Sequence, residues 1–279
     1  MITRRTFIGL STAAAALTTT TGFSQETVPV YLQSGSKKKG FCTTAGDSPG
    51  WAEKLTSLHA KWFYTWAGFV PDDAPKGMAF VPMIRSRHSK PEMVAKIRES
   101  FAGHDIKEVL GFNEPDTKHQ DGLTVEQALD LWPMYMETGL RIGSPACVHP
   151  DKQWMIDFMA GVEERKLRVD FVCIHSYGGP NPEAFLNRLE KVHEMFNRPL
   201  WITEFAVGDW NAKTVEENKH DPKTVLRFMD KVLPKLDRLD FLERYSWFSA
   251  SADSPPVGTS ALFDLEGKLT ELGQCYRDA

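Results

Sequence analysis

The sequence predicts an α/β fold, a compact and imperfect (β/α)8 TIM barrel, on three observations. Eight short apolar runs of strand length recur along the chain. Amphipathic stretches lie between most of them, with apolar residues at the three- and four-residue steps of a helix. Setting aside an N-terminal leader from the 279 residues leaves roughly 250, the length that eight strands alternating with helices need. An open doubly wound sheet would want a glycine-rich phosphate loop after an early strand, and the chain has none.

The elements follow in order. Residues 1–24 read as a signal peptide of the twin-arginine type. Arg4 and Arg5 precede a small, uncharged stretch, no acid occurs before Glu26, and Gly22 and Ser24 suit cleavage before Gln25. The apolar part is too short for a permanent membrane span. Residues 25–38 form a polar, flexible lead-in, and the barrel domain occupies 39–279. The strand runs are 40–43, 62–66, 79–83, 109–113, 141–145, 171–177, 200–205 and 244–248. Helical patterns cover 48–60, 90–102, 124–137, 152–165, 182–196 and 224–236. Pro133 and Pro234 should kink or end the helices that hold them. Only residues 67–78 separate the second and third strands, too few for a full helix, so one helix is missing or reduced to a turn.

Composition narrows the function. At 42% hydrophobic and 25% charged the chain is ordinarily globular. Its formal charge of −4, falling to −6 when the two leader arginines are removed, supplies no basic face for nucleic acid. Cys42, Cys147, Cys173 and Cys275 are too far apart in sequence for a zinc site and are expected as buried thiols. His104, His119 and His149 have no ligand partners at metal spacing and read as solvated surface, so neither a metal nor another cofactor is expected. A monomer is the default for an exported barrel of this size, free of the membrane once its leader is gone.

In such a barrel the active site lies at the carboxyl ends of the strands. Polar residues interrupt the apolar runs there. The fourth run ends in Asn113 and Glu114, and Pro115 forbids further pairing because it has no N–H. The seventh run ends in Glu204. The sixth ends in His175 and Tyr177, which share a face by the period of two, as Tyr245 and Trp247 do in the eighth. Trp66 ends the second run, and Met83 and Arg85 lie near the end of the third. Two carboxylates from separate strands, flanked by aromatics, suit glycoside hydrolysis. The Asn113 amide is placed to bond a sugar hydroxyl, and Trp66, Trp247, Tyr245, Tyr177 and His175 to form sugar contacts.

The motifs LGFNEPD (110–116) and PLWITEFA (199–206), in that order, resemble glycoside hydrolase family 128, the compact clan A barrels related to fungal Asl1-like glycanases. The resemblance extends from about Lys39 to the end of the chain. It implies Glu114 as general acid/base and Glu204 as nucleophile, retention of anomeric configuration, and β-1,3-glucan cut internally as the reaction. Retention places the two carboxyls roughly 5–5.5 Å apart. Ser176 departs from the aromatic that family members often carry between the His and Tyr of strand six.

Blander readings compete with each role. Glu114 and Asp116 could cap the segment that follows, Glu204 could pair with Arg244, and His175, Trp66 and Trp247 could be core residues. Competing functions are a catalytically silent carbohydrate-binding barrel, the same mechanism on another polysaccharide, and a metal-dependent barrel enzyme. The last is disfavoured because His175 is the main strand-end histidine.

Overall fold

A computed structural model describes residues 28–45, 50–86, 91–100, 105–120 and 122–279. The leader, the first part of the lead-in and His104 lie outside the described residues. Eight strands are present: β1 Lys39–Cys42, β2 Trp62–Tyr64, β3 Ala79–Phe80, β4 Glu108–Val109, β5 Arg141–Ile142, β6 Val172–Ser176, β7 Leu200–Phe205 and β8 Leu242–Trp247. The α-helices are α1 Trp51–Ser57, α2 Pro91–Ser100, α3 Val125–Leu131, α4 Pro133–Met136, α5 Gln153–Glu164, α6 Pro182–Phe196, α7 Pro222–Leu236 and α8 Glu271–Asp278.

Six strands form one parallel sheet in the order β3-β2-β1-β8-β7-β6, and β4 pairs with β5 in a second. Isolated parallel bridges join the two sheets at both seams. Met83 pairs with Leu110 just beyond β3 and β4, and Gly143 with Phe171 between β5 and β6. The strands thus make a ring whose β3–β4 and β5–β6 seams are thinly bonded, which is the predicted compact, imperfect barrel. The connection from β2 to β3 holds no α-helix, as its length requires.

Two apolar layers result. Cys42, Trp62, Tyr64, Val81, Met83, Leu110, Phe171, Cys173 and Trp201 fill the interior. Glycines make room for the large rings: a Cβ on Gly40 would sit 2.3 Å from the Trp62 indole. The outer layer lies between strands and helices. In α7 Val225, Phe228, Met229, Val232, Leu233 and Leu236 are buried at helical steps, which turns one stripe toward the sheet. All four cysteines are free thiols; three are buried and Cys275 is half-buried.

Pro133 divides its helical stretch, since α3 ends at Leu131 and α4 begins at the proline. Pro234 does not end α7, which runs on to Leu236. It sits in the last turn, and the carbonyl it deprives of an N–H belongs to exposed Asp230. The helical periodicity of the sequence left α8 out. Thr270 caps it, its hydroxyl accepting from the Gly273 N–H, and α8 supplies the helix after the eighth strand.

Arg244 is committed at the amino-terminal end of the barrel, away from Glu204. Its guanidinium lies 4.2 Å from the Trp201 ring centroid and 3.3 Å from Glu108 Oε2. Arg141 joins Glu243 at 3.0 Å beside it. A half-buried arginine gains from such partners, because a charge drawn out of water is costly when unpaired. The alternative that Glu204 exists to balance Arg244 is therefore excluded.

Candidate active site

Two local distortions aim the carboxylates. Beyond β4 the chain bridges Asn113 to Ala146, and the Glu114 N–H donates to the Ala146 carbonyl at 2.9 Å. Glu114 then adopts φ 45°, the left-handed region, directly before Pro115. A residue in front of proline ordinarily prefers extended backbone, so this conformation is strained. Among the described residues five non-glycine residues have positive φ. His59, Lys166 and Asn197 terminate helices, where the left-handed state is routine. The other two are Glu114 and Trp66, both at strand ends facing the same cleft.

The second distortion is a bulge in β7. Ile174 pairs with Ile202 and His175 with Glu204, so Thr203 is an extra residue relative to β6. Against β8 the register shifts between Ile202 and Phe205 as well. Trp201 points inward and Ile202 outward. Strict alternation would send Glu204 outward with Ile202; the inserted residue returns it to the interior.

There Glu204 is almost fully buried and meets a shell of donors. The Tyr64 hydroxyl (2.9 Å) and the Trp66 indole N–H (2.8 Å) donate to Oε1, and the Tyr177 hydroxyl donates to Oε2. Burial and the Glu204 charge push both tyrosines far above the ordinary phenol range, so they remain donors. His175 is completely buried between the two acids. Its Nδ1 is 2.8 Å from Glu114 Oε1. Its Nε2 is 3.4 Å from Glu204 Oε1, too poorly aligned for a hydrogen bond but close enough for strong attraction.

Burial drives the His175 pKa down, yet the charges of Glu204 and Glu114 outweigh it and leave it raised. Burial likewise drives Glu114 up, but the hydrogen bond and positive charge of His175 outweigh it and hold the carboxyl below its usual range. One ligand atom from each of Glu114, His175 and Glu204 lies within 4.8 Å of the others. This is the group among the described residues that could surround a cation. Glu204 already accepts from two O–H groups and one N–H, and Glu114 Oε1 already faces His175 Nδ1, however, which suits a hydrogen-bonded acid pair better than a metal.

A cavity of about 1260 Å³ opens above the acids, and Trp66, Asn113, Glu114, Tyr177 and Glu204 line it as the sequence predicts. His175 supports them from below the floor. The buried Asn113 Oδ1 has no partner within the protein and is a ready acceptor.

Tyr245 and Trp247 do share a face, but it is the wrong one. Both are fully buried in the outer layer; the Tyr245 hydroxyl reaches Asp237, and the Trp247 indole donates to the Ser260 carbonyl. Neither lines the cleft, where the next residue, Phe248, stands instead. Met83 is interior packing, whereas Arg85 lines the cavity. His119 and His149 are exposed as predicted, but at the cavity wall. Asp116 caps no helix; it accepts from the Val148 and His149 N–H groups at 3.0 Å and ties the loops after β4 and β5 together. Ser176 alternates away from His175 and lines a separate pocket of about 220 Å³ with Phe185, Phe205 and Phe228, so its small size removes no cleft wall.

Sequence reasoning missed Tyr64, although its position two residues before Trp66 was a usable signal. It also missed Phe248, Arg188 and Trp210, and the loop carrying Trp210 offers no periodicity from which to find it.

The profile of the glycosyl hydrolase catalytic core family matches residues 40–276. No curated protein matches the chain. Among solved structures, the chain is similar to a subgroup I endo-β-1,3-glucanase of glycoside hydrolase family 128 from Amycolatopsis mediterranei. That structure is a glutamate-to-alanine variant in complex with laminaripentaose. Identity is 32% with a TM-score of 0.76, covering 88% of this chain and 100% of that one. A subgroup II endo-β-1,3-glucanase from Pseudomonas viridiflava is 26% identical with a TM-score of 0.68, covering 87% and 97%. A subgroup III curdlan-specific exo-β-1,3-glucanase from Blastomyces gilchristii, 24% identical with a TM-score of 0.70 over 88% and 99%, shares the fold.

Proposed function

This chain belongs to glycoside hydrolase family 128 and is a glycoside hydrolase, and from that premise we propose that it cuts β-1,3-glucan internally by double displacement on Glu114 and Glu204. The observation that carries the mechanism is that the two carboxylates, with His175 between them, each place an oxygen within 4.8 Å of the other. Inverting enzymes leave about 6.5–9.5 Å for a water between their acids. The linkage rests on the family 128 relatives, whose complexes hold laminaripentaose and laminarihexaose.

In the first step a Glu204 oxygen attacks the anomeric carbon. The glycosidic C–O bond breaks, and the leaving oxygen takes the proton of the Glu114 carboxyl. In the second, Glu114 removes a proton from water, the water oxygen attacks the same carbon, and the Glu204 ester bond breaks. Both inversions together give retention. The Tyr64, Trp66 and Tyr177 donors orient the nucleophile, and the unpartnered Asn113 Oδ1 accepts from a sugar hydroxyl.

The acid's proton is stored on the 2.8 Å contact between His175 and Glu114. Imidazolium beside carboxylate and imidazole beside carboxylic acid contain the same number of protons. A bound glucan excludes water, which disfavours the ion pair and moves the proton onto Glu114. The shared proton is lost as pH rises through the raised His175 value, and turnover falls with it. In His175→Gln the proton has only a carboxylate to reside on. The basic limb of the kcat/KM profile should therefore move to lower pH. An unmoved limb would show that His175 holds no working proton.

We also assign residues 1–24 to export by the twin-arginine route, with a periplasmic or extracellular mature domain, from Arg4, Arg5 and the uncharged stretch after them. No helix among the described residues is long and apolar enough to cross a membrane. Product analysis on a panel of glucans tests the substrate. Short β-1,3-linked oligosaccharides support the reading; products from a different polymer replace the substrate; binding without products leaves a silent carbohydrate-binding barrel.

A further inference from the structure

Trp210 stands out on the surface because it is 63% exposed and yet lines the cavity. It ends a row of edge-to-face aromatic contacts. Trp66 meets Phe248 at 6.2 Å between centroids, Phe248 meets Tyr177 at 5.3 Å, and Tyr177 meets Trp210 at 5.7 Å. Since the Tyr177 hydroxyl bonds Glu204, Trp210 lies one ring further out than the residue holding the nucleophile.

The loop presenting it is tied down. The carboxylate of Asp209, itself 5% exposed, accepts from the Asn211 N–H at 3.3 Å, the Lys219 N–H at 3.2 Å and Lys219 Nζ at 3.3 Å. The Asp209 N–H donates to the Pro256 carbonyl at 2.8 Å. The Asn218 amide donates to the carbonyls of Pro255 and Pro256 at 3.1 and 3.0 Å. An aromatic on such a clasp is ordered before any ligand arrives, so contact with it costs little further conformational entropy.

We infer that Trp210 is a stacking platform for a glucosyl unit remote from the scissile bond, and that Asp209 is the residue that positions it. The C–H face of a pyranose matches an exposed indole, since it is apolar and carries slight positive charge toward the ring's negative face. The role rests on the proposed β-1,3-glucan reading and deepens it: the platform rewards chains long enough to reach it, and so favours cutting a polymer over cutting its short fragments.

The test compares kcat/KM for laminaritriose and laminarihexaose in the full mature protein. In Trp210→Ala the hexaose-to-triose ratio should fall about tenfold, mainly through KM for hexaose. Trp210→Phe should recover part of it, which an effect of misfolding would not. Asp209→Asn should lower the same ratio with a smaller effect, its thermal midpoint reporting any general loss of structure. An unchanged ratio in Trp210→Ala overturns the inference while wild-type cleavage of β-1,3-glucan stands. Absence of wild-type cleavage on both oligosaccharides and on the polymer overturns the substrate reading and the platform together.

Discussion

Glu204→Gln should reduce turnover of β-1,3-glucan by roughly four to six orders of magnitude while leaving the fold intact, as expected when an enzyme loses its nucleophile. The amide is nearly isosteric with the acid but cannot form the glycosyl ester. Its hydrogen bonds can be preserved. The side-chain carbonyl can take the Oε1 position, where Tyr64 and Trp66 donate. The NH2 then faces the Tyr177 oxygen, which can accept because a hydroxyl rotates. The thermal midpoint should therefore shift far less than for a variant that leaves these donors without an acceptor. Single-turnover product analysis beside thermal unfolding checks both halves. Near-normal turnover in a folded Glu204→Gln protein would remove the double displacement altogether.

Glu114→Ala should lose about 10²–10⁴-fold on glucan, the usual contribution of a positioned acid. Its signature is selective. A substrate with a dinitrophenolate leaving group needs no proton to depart, so formation of the glycosyl ester should survive and the intermediate should accumulate. Azide, occupying the space of the missing carboxyl, should then attack the anomeric carbon, displace Glu204 and restore turnover as a β-glycosyl azide. The backbone should tolerate alanine, because Glu114 already carries the positive φ that any L-residue would find strained. Equal losses on glucan and activated substrate, with no azide product, would reassign Glu114 from acid/base to substrate binding. Together the two variants separate the roles of the two acids that flank His175.

Much of this site is legible in sequence because its polar residues interrupt apolar runs. Asn113 and Glu114 at the end of one run, His175 and Tyr177 in another and Glu204 in a third each interrupt a pattern that packing alone would have continued. Pro115 and the missing helix between β2 and β3 were readable for equally local reasons, an absent N–H and too short a segment. Pro133 divided its helix as a proline should, whereas Pro234 could be accommodated in the final turn of α7.

The remaining features depended on residues far apart in the chain. A period of two says that Tyr245 and Trp247 share a face but carries no sign. Closing the ring put that face against α7 and α8 and brought Phe248 to the cleft instead. The Thr203 bulge is defined by the register of β7 against both β6 and β8, so no local pattern announces that Glu204 turns inward. Arg244 found its partners in Glu108 and the Trp201 ring across the barrel floor, which freed Glu204 from that duty. Trp210 acquired its place from a loop clasped to the segment after β8. The sequence by itself thus determined the strands, the helical periodicity and the acids of this protein. Only tertiary structure decided which faces look inward, because inside and outside exist only once the sheet has closed on itself.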